Sequence, residues 1–214
     1  MNLREASGIV WATIRDWYHC MIGLAALNLL WIILSLTLVL LPPATAGMYA
    51  ITHSIAQGKG QQWNLFWDTV RRYGWISARW AALNVVVVAV LIVNFSFYGA
   101  IESTLGSVLQ IVIAIGGLLW IATQFYFWPF MLTQEQKQVR VALKNALFLT
   151  LADPLYTSVM LSTAALAAVI SIILVLPVAI FTLSFIALLA NQAVIERLTT
   201  YGKWPAIHME NKDL

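Results

Sequence analysis

The sequence predicts an all-α fold, a polytopic transmembrane bundle of about five spans with amphipathic helices on its cytoplasmic face. One observation is the composition: the 214 residues are 61% hydrophobic and only 10% charged, whereas soluble domains contain about 25% charged residues. The other is a series of long segments with almost no formal charge. About 20 apolar helical residues suffice to cross the hydrocarbon core of a bilayer. We therefore expect a single membrane domain over residues 1–214.

The apolar segments set the expected spans. They cover residues 21–41, 76–98, 107–132, 157–176 and 177–195. The last two divide one apolar stretch that would be about 58 Å long as a single helix, nearly twice the hydrocarbon thickness. Pro177 lies near its middle, which favours two spans joined by a tight turn, and one kinked helix is the alternative. Pro42 and Pro43 are expected to end the first span because they lack backbone donors.

The remaining segments are expected to lie at the membrane surface. Residues 1–20 place apolar side chains in one stripe, which is typical of an interfacial helix. Residues 44–73 and 134–150 are likewise predicted as amphipathic interfacial segments, since aromatic or aliphatic residues alternate with basic ones at helical spacing. Residues 196–214 form the predicted cytoplasmic tail.

The distribution of basic residues predicts the orientation. Ten of the 12 Lys and Arg residues fall on alternate flanks of the five predicted spans, starting with the flank that follows the first span. Basic residues are retained in the cytoplasm. The N-terminus is therefore expected outside and the C-terminus inside.

The sequence contains no pattern of residues that indicates catalysis, and we expect no enzyme activity. The predicted spans contain no Asp, Glu, Lys or His, and Arg79 near one end is their only basic residue, so acid–base chemistry within the membrane has no candidate group. The three His residues are far apart, and Cys20 is the single cysteine. No metal site, cofactor or internal disulfide is expected. The basic residues form no clustered stripe, so nucleic acid is not an expected partner.

Amides are the polar groups in the spans that could bind a substrate. Asn28, Asn84 and Gln124 could line a route for a neutral solute that forms hydrogen bonds, such as a sugar. The alternative is that these amides bind neighbouring helices, as polar side chains in membrane bundles commonly do.

One face of the segment 134–150 is basic. Lys137, Arg140 and Lys144 lie on the same side of a helix. This face could attract anionic lipid or dock a partner protein.

Three stretches carry a resemblance to a known family. They are Asn28-Leu29-Leu30-Trp31 leading into Leu41-Pro42-Pro43-Ala44-Thr45-Ala46, then Phe66-Trp67-Asp68-Thr69-Val70-Arg71-Arg72-Tyr73, and Ala142-Leu143-Lys144-Asn145-Ala146-Leu147 followed by Asp153-Pro154-Leu155. Together they resemble the YesL-like family of small bacterial membrane proteins of unknown function. The resemblance implies a bacterial inner-membrane location and a link to carbohydrate uptake, and it implies no active-site residue.

Two functions are consistent with these features. The first is an accessory or permease-like component for uptake of a neutral solute such as a carbohydrate. The second is a non-catalytic structural or assembly subunit of a larger membrane complex. Both imply the lipid bilayer and other membrane subunits as partners. A solvent-reaching cavity among Asn28, Asn84 and Gln124 would favour the first function, and a tightly packed bundle would favour the second.

Overall fold

The computed structural model describes residues 3–135, 137–174 and 181–203. Within these ranges the chain is α-helical and contains no strand. The helices are α1 (Leu3–His19), α2 (Met21–Ser35), α3 (Leu41–Ala56), α4 (Trp63–Gly99), α5 (Thr104–Thr133), α6 (Val139–Ala152), α7 (Pro154–Leu174) and α8 (Thr182–Thr200). The predicted turn at Leu176 and Pro177, and the tail from residue 204 onward, lie outside the described residues.

Several helices are long and apolar enough to cross a membrane. These are α4, α5 and residues Pro154–Ser171 of α7, and α1 and α2 count as a fourth span if this pair, bent by 86°, is taken together. Helix α8 is not among them; it carries Asn191, Gln192, Glu196 and Arg197. The architecture is therefore consistent with a multi-pass membrane protein that has three to four candidate spans in the described residues.

Two helix boundaries differ from the predicted ones. Helix α2 ends at Ser35, and Pro42 and Pro43 lie in the first turn of α3. Proline suits a first turn because the backbone donors there have no partner within the helix. Helix α4 runs without a break from Trp63 to Gly99, so the end of the predicted amphipathic segment and the second predicted span form one helix.

The core is built around α3 and α8. Every residue of α3 except Leu41 and His53 is buried, so α3 has no broad solvent-facing side of the kind predicted for residues 44–73. Helix α3 packs closely on α4 at Gly47, where an added Cβ atom would lie 2.7 Å from the ring of Phe66. Ala187 to Val194 of α8 are also buried. Small and medium side chains on both helices allow this close packing.

The α4–α5 hairpin extends away from this core. It comprises residues 85–121, of which only Gly106 is buried. Its exposed side chains include Val86, Val93, Val112 and Ile115. A surface of this kind suits lipid rather than water.

Helices α7 and α8 are antiparallel. The hydroxyl of Tyr156, near the start of α7, donates to the carbonyl of Ala193 near the end of α8 at 3.1 Å. At the opposite ends Thr182 donates to Ser171 at 2.5 Å. Two separate helices therefore occupy the described parts of the apolar stretch 157–195.

Candidate functional site

Asn28 joins α2 to α8. Its amide nitrogen donates to the hydroxyl of Ser184 at 2.6 Å and to the carbonyl of Leu24 at 2.8 Å. Its carbonyl oxygen accepts from the backbone nitrogen of Ser184 at 3.2 Å. The side chain is only 2% exposed, so both ends of this amide are occupied by protein groups.

Asn84 and Gln124 are brought together at the base of the α4–α5 hairpin. The Asn84 amide nitrogen lies 3.3 Å from the Gln124 carbonyl oxygen, which also accepts from the indole of Trp80 at 2.7 Å. The indole of Trp120 donates to the Asn84 carbonyl oxygen at 3.1 Å. The Gln124 amide nitrogen is buried without a hydrogen-bond partner.

The three amides thus belong to two separate clusters. Asn28 bonds to α8, whereas Asn84 and Gln124 bond to each other and to two tryptophans. Substrate binding by these residues stays a prediction.

Asn191 is a polar centre that the sequence analysis did not single out. Its amide nitrogen donates to the Thr52 hydroxyl at 3.0 Å, the Tyr49 carbonyl at 3.2 Å and the Ala187 carbonyl at 3.0 Å. Its carbonyl oxygen lies 3.0 Å from Nδ1 of His53. Because this oxygen only accepts, Nδ1 carries the proton.

His53 has its other ring nitrogen occupied as well. Nε2 lies 2.8 Å from the amide nitrogen of Gln57 and accepts from it when Nδ1 is the protonated nitrogen. Burial lowers the pKa of His53 to about 4; the hydrogen bond to Asn191 opposes this shift, and the charges of Lys137 and Lys59 reinforce it. The ring is therefore neutral near pH 7.

Gln192, the next residue, bonds to a different helix. Its carbonyl oxygen accepts from Thr13 at 2.6 Å, and its amide nitrogen donates to Asp16 at 2.7 Å. Successive residues of a helix point about 100° apart, so Asn191 and Gln192 connect α8 to α3 and to α1. Two adjacent amides in an apolar helix are the sequence signal that could have identified this centre.

A polar cavity opens beside His53, and we call it the α3–α4 cavity. It measures about 390 Å³, and its lining includes Ser54, Gln57, Gln62, Arg72 and Tyr73 together with Lys59 and Asp68. The turn that closes it contains Gly58 and Gly60 with φ of 74° and 72°, a conformation that strongly favours glycine. The Ser54 hydroxyl donates to the Gly60 carbonyl at 2.9 Å and fixes this turn.

The predicted basic face divides between two cavities. Lys137 and Arg140 line a cavity of about 540 Å³ between α4 and the start of α6, which we call the α4–α6 groove. Lys144 lines a separate cavity of about 370 Å³ with Trp120 and Leu147. Leu143 contributes to both cavities. Anionic lipid or a docked partner at this face stays a prediction.

Charged residues also meet where α7 packs on α8. Arg197, which is 4% exposed, lies 3.6 Å from Asp153 and 3.4 Å from Glu196, and its guanidinium carbon is 3.9 Å from the ring centre of Tyr156. The Tyr201 hydroxyl donates to Asp153 at 3.0 Å. This cluster is internally paired and closes the end of the α7–α8 pair. In the part of the chain that the structure describes, no three His, Cys, Asp or Glu residues lie close enough together to hold a metal ion.

Comparison with known proteins adds one match. A family model described as "Protein of unknown function, DUF624" matches residues 24–95. No curated protein and no solved structure matches the chain. The matched segment contains Asn28, Asn84, His53 and most residues that line the α3–α4 cavity. Over this segment the chain is therefore similar to a protein family of unknown function.

Proposed function

We propose that this protein is a non-catalytic structural or assembly subunit of a larger complex in the bacterial inner membrane. The observation that carries the proposal is the pairing of Asn28 and Asn84 with groups on neighbouring helices. A route for a solute requires polar groups whose hydrogen bonds are left for the solute. Asn28 donates both of its amide hydrogens to protein acceptors, and its carbonyl oxygen accepts from protein, in a buried position.

These hydrogen bonds have a sufficient role in holding helices together. Interhelical hydrogen bonds in membrane proteins contribute about 0.6–2 kcal/mol each. The cluster of Trp80, Asn84, Trp120 and Gln124 links α4 to α5 through three such bonds. The amides then hold the helices in fixed positions. A subunit that presents a surface to its partners requires such a fixed bundle.

The α4–α5 hairpin is the surface that we assign to other membrane subunits. It projects beyond the core, and its apolar side chains are exposed along both helices. Helix association in a membrane depends on packing of such surfaces. In this proposal lipid covers whatever part of the hairpin the partner leaves open.

The proposed topology has five spans, with the N-terminus outside and the C-terminus in the cytoplasm. Helix α2 supplies the first span, the α4–α5 hairpin the second and third, and α7 and α8 the last two. Arg71, Arg72 and Arg79 then lie on the cytoplasmic side, and Glu102 at the tip of the hairpin lies outside. The positive-inside rule supports this arrangement.

A second function is favoured by the α3–α4 cavity. Its amide, hydroxyl and charged side chains suit a hydroxyl-rich solute, and its volume of about 390 Å³ falls within the range of small-molecule sites. An accessory component for uptake of a neutral solute such as a carbohydrate, as the resemblance to the YesL-like family implies, would use this cavity rather than the buried amides.

Site-specific photocrosslinking in the native membrane tests the proposal. A photoreactive amino acid is placed at Val93 or Val112 on the hairpin and, as a control, at Ile22, which is exposed on α2. The products are purified in mild detergent and identified by mass spectrometry. We expect a discrete protein adduct from the hairpin positions and none from Ile22. Adducts with lipid alone at every position would overturn the proposal, and co-purified ATPase or solute-binding subunits would favour the uptake function.

A further inference from the structure

The α4–α6 groove combines positive charge with an apolar lining. Arg79 lines it from α4, Arg140 lines it from the first turn of α6, and Lys137 lines it from the segment just before α6. None of its lining residues is acidic. Among the residues that the structure describes, none of these three basic groups forms an ion pair within 4.0 Å. Three positive charges therefore share one cavity, with no counter-ion among the residues that the structure describes.

Lys137 is held in place within this groove. Its ammonium donates to the carbonyl of Leu132 at 2.8 Å, which leaves two of its three protons for another acceptor. Burial lowers the pKa of Lys137, and the nearby charge of Arg72 lowers it further. An anion bound beside the ammonium would favour its charged form and so oppose both effects on the pKa of Lys137.

The groove also has an apolar part. Ile76, Arg79 and Leu83 follow one another at helical spacing along the same face of α4. Leu83 lies in the apolar stretch of α4 that follows Arg79. Val139 and Leu143 supply the opposing apolar wall on α6. A ligand that fits must carry a negative headgroup and an apolar chain.

We propose that the α4–α6 groove is a binding site for an anionic phospholipid. Its phosphate lies among Arg79, Lys137 and Arg140, and an acyl chain runs along Leu83 and Leu143. Basic pockets between membrane helices are suited to such headgroups. This site is independent of the subunit role proposed above, because the groove needs no protein partner.

The test measures lipid binding to the full chain in a non-ionic detergent by native mass spectrometry. The probes are palmitoyl-oleoyl phosphatidylglycerol and the zwitterionic phosphatidylcholine with the same chains. We expect the first bound molecule of phosphatidylglycerol to bind at least tenfold more tightly than the first molecule of phosphatidylcholine. The reason is that each basic residue near a lipid surface contributes about fivefold in affinity. Equal affinity for the two lipids would overturn the proposal, and this comparison needs no variant.

A matched pair of variants locates the site. Arg79→Gln/Lys137→Gln/Arg140→Gln removes the three groove charges, and Lys59→Gln/Arg71→Gln/Lys203→Gln removes three charges elsewhere. We expect the groove variant to bind phosphatidylglycerol no better than phosphatidylcholine, and the control to stay within twofold of the wild type. Equal losses in both variants would show a general charge effect and overturn the proposal. If the triple groove variant fails to fold, the single variant Arg140→Gln, at an exposed position, replaces it with an expected loss of about fivefold.

A third variant separates a lipid site from a phosphate site. Leu83→Trp keeps all three charges but fills the apolar part of the groove. We expect it to weaken phosphatidylglycerol at least fivefold, and we expect millimolar inorganic phosphate not to displace the lipid from the wild type. Unchanged lipid binding in Leu83→Trp together with displacement by phosphate would mean that the groove recognises a free anion, and the phospholipid assignment would be wrong.

Discussion

The core around α3 and α8 and the α4–α5 hairpin differ in how their side chains are accommodated. In the core, short helices are buried on nearly all sides and are joined by hydrogen bonds between side chains, as at Asn191 and Thr52. The hairpin beyond Gln124 consists of long apolar helices with little burial. The hairpin needs lipid or another apolar surface around it, because water would solvate its exposed side chains poorly.

This difference indicates which interactions stabilise the folded protein. Lipid is as apolar as a leucine side chain, so burying hydrocarbon against protein gains little over leaving it in the membrane. Shape complementarity and hydrogen bonds must therefore hold the core. We expect substitutions of the same type to have large effects in the core and small effects in the hairpin.

The largest effect is expected for Asn191→Ala. This change removes the amide donor that lies within 3.2 Å of three acceptors, and it leaves Nδ1 of His53 without its acceptor. Each buried polar group left unpaired costs about 1–3 kcal/mol, so the free energy of unfolding should fall by about 3–5 kcal/mol. Reversible unfolding in mixed micelles measures this loss.

The matched control is Asn94→Ala in the hairpin. Within the described ranges, Asn94 bonds only to the carbonyl of Val90 in its own helix, at 2.7 Å. Its removal should change the free energy of unfolding by less than about 0.5 kcal/mol. Similar losses in both variants would contradict the contrast between the two regions.

A smaller effect is expected from lowering the pH. The pKa of His53 is about 4 in the folded protein and 6.5 in the unfolded chain. Above pH 6.5 the ring is neutral in both states; below it the unfolded chain binds a proton that the folded protein does not. The free energy of unfolding should therefore fall by about 2 kcal/mol between pH 7 and pH 5.

The control for this effect is His53→Gln, which has no titratable group. The difference between wild type and variant, measured by unfolding at both pH values, isolates His53 from the carboxylates. Equal pH dependence in the two proteins would mean that His53 already titrates normally in the folded state.

The smallest effect is expected for Gly47→Ala. The added Cβ atom meets the fully buried ring of Phe66 at 2.7 Å, which forces a shift in a packed core. The gain in helix propensity offsets part of this cost, so we expect a net loss of about 1 kcal/mol in the free energy of unfolding. Gly116→Ala in the hairpin meets no atom within 4 Å and should be neutral or stabilising. A loss in Gly116→Ala equal to that in Gly47→Ala would refute this reasoning.

The sequence predicts the helical class because long uncharged segments have few other stable arrangements in a membrane. It does not predict that α3 is buried. The alternation of apolar and polar residues in α3 is typical of a surface helix. In the structure, however, Thr52 bonds to the backbone of α3, His53 to Asn191 on α8, and Ser54 to the turn after α3. Such pairing depends on residues up to 139 positions away, such as Asn191 with Thr52.

The candidate site was predicted unevenly for the same reason. Lys137 and Arg140 are three residues apart, so the helical spacing predicted for 134–150 groups them, and both line the same cavity although Lys137 precedes α6. Arg79 joins them only because the tertiary fold brings the segment that begins α6 beside the same cavity as α4, which no local pattern records. Likewise, Asn84 and Gln124 meet across the hairpin, whereas Asn28 bonds to α8.

The position of α8 in the chain has a consequence for biosynthesis. Its residues bond to α1, α2 and α3, with sequence separations of 179, 156 and 139 residues. Thr13, Asn28 and Thr52 are therefore synthesised long before their partners on α8. The α4–α5 hairpin, whose contacts are local, can form first. During this interval water, lipid headgroups or insertion factors must satisfy these early polar side chains. The core around α3 and α8 can form only after α8 has been synthesised.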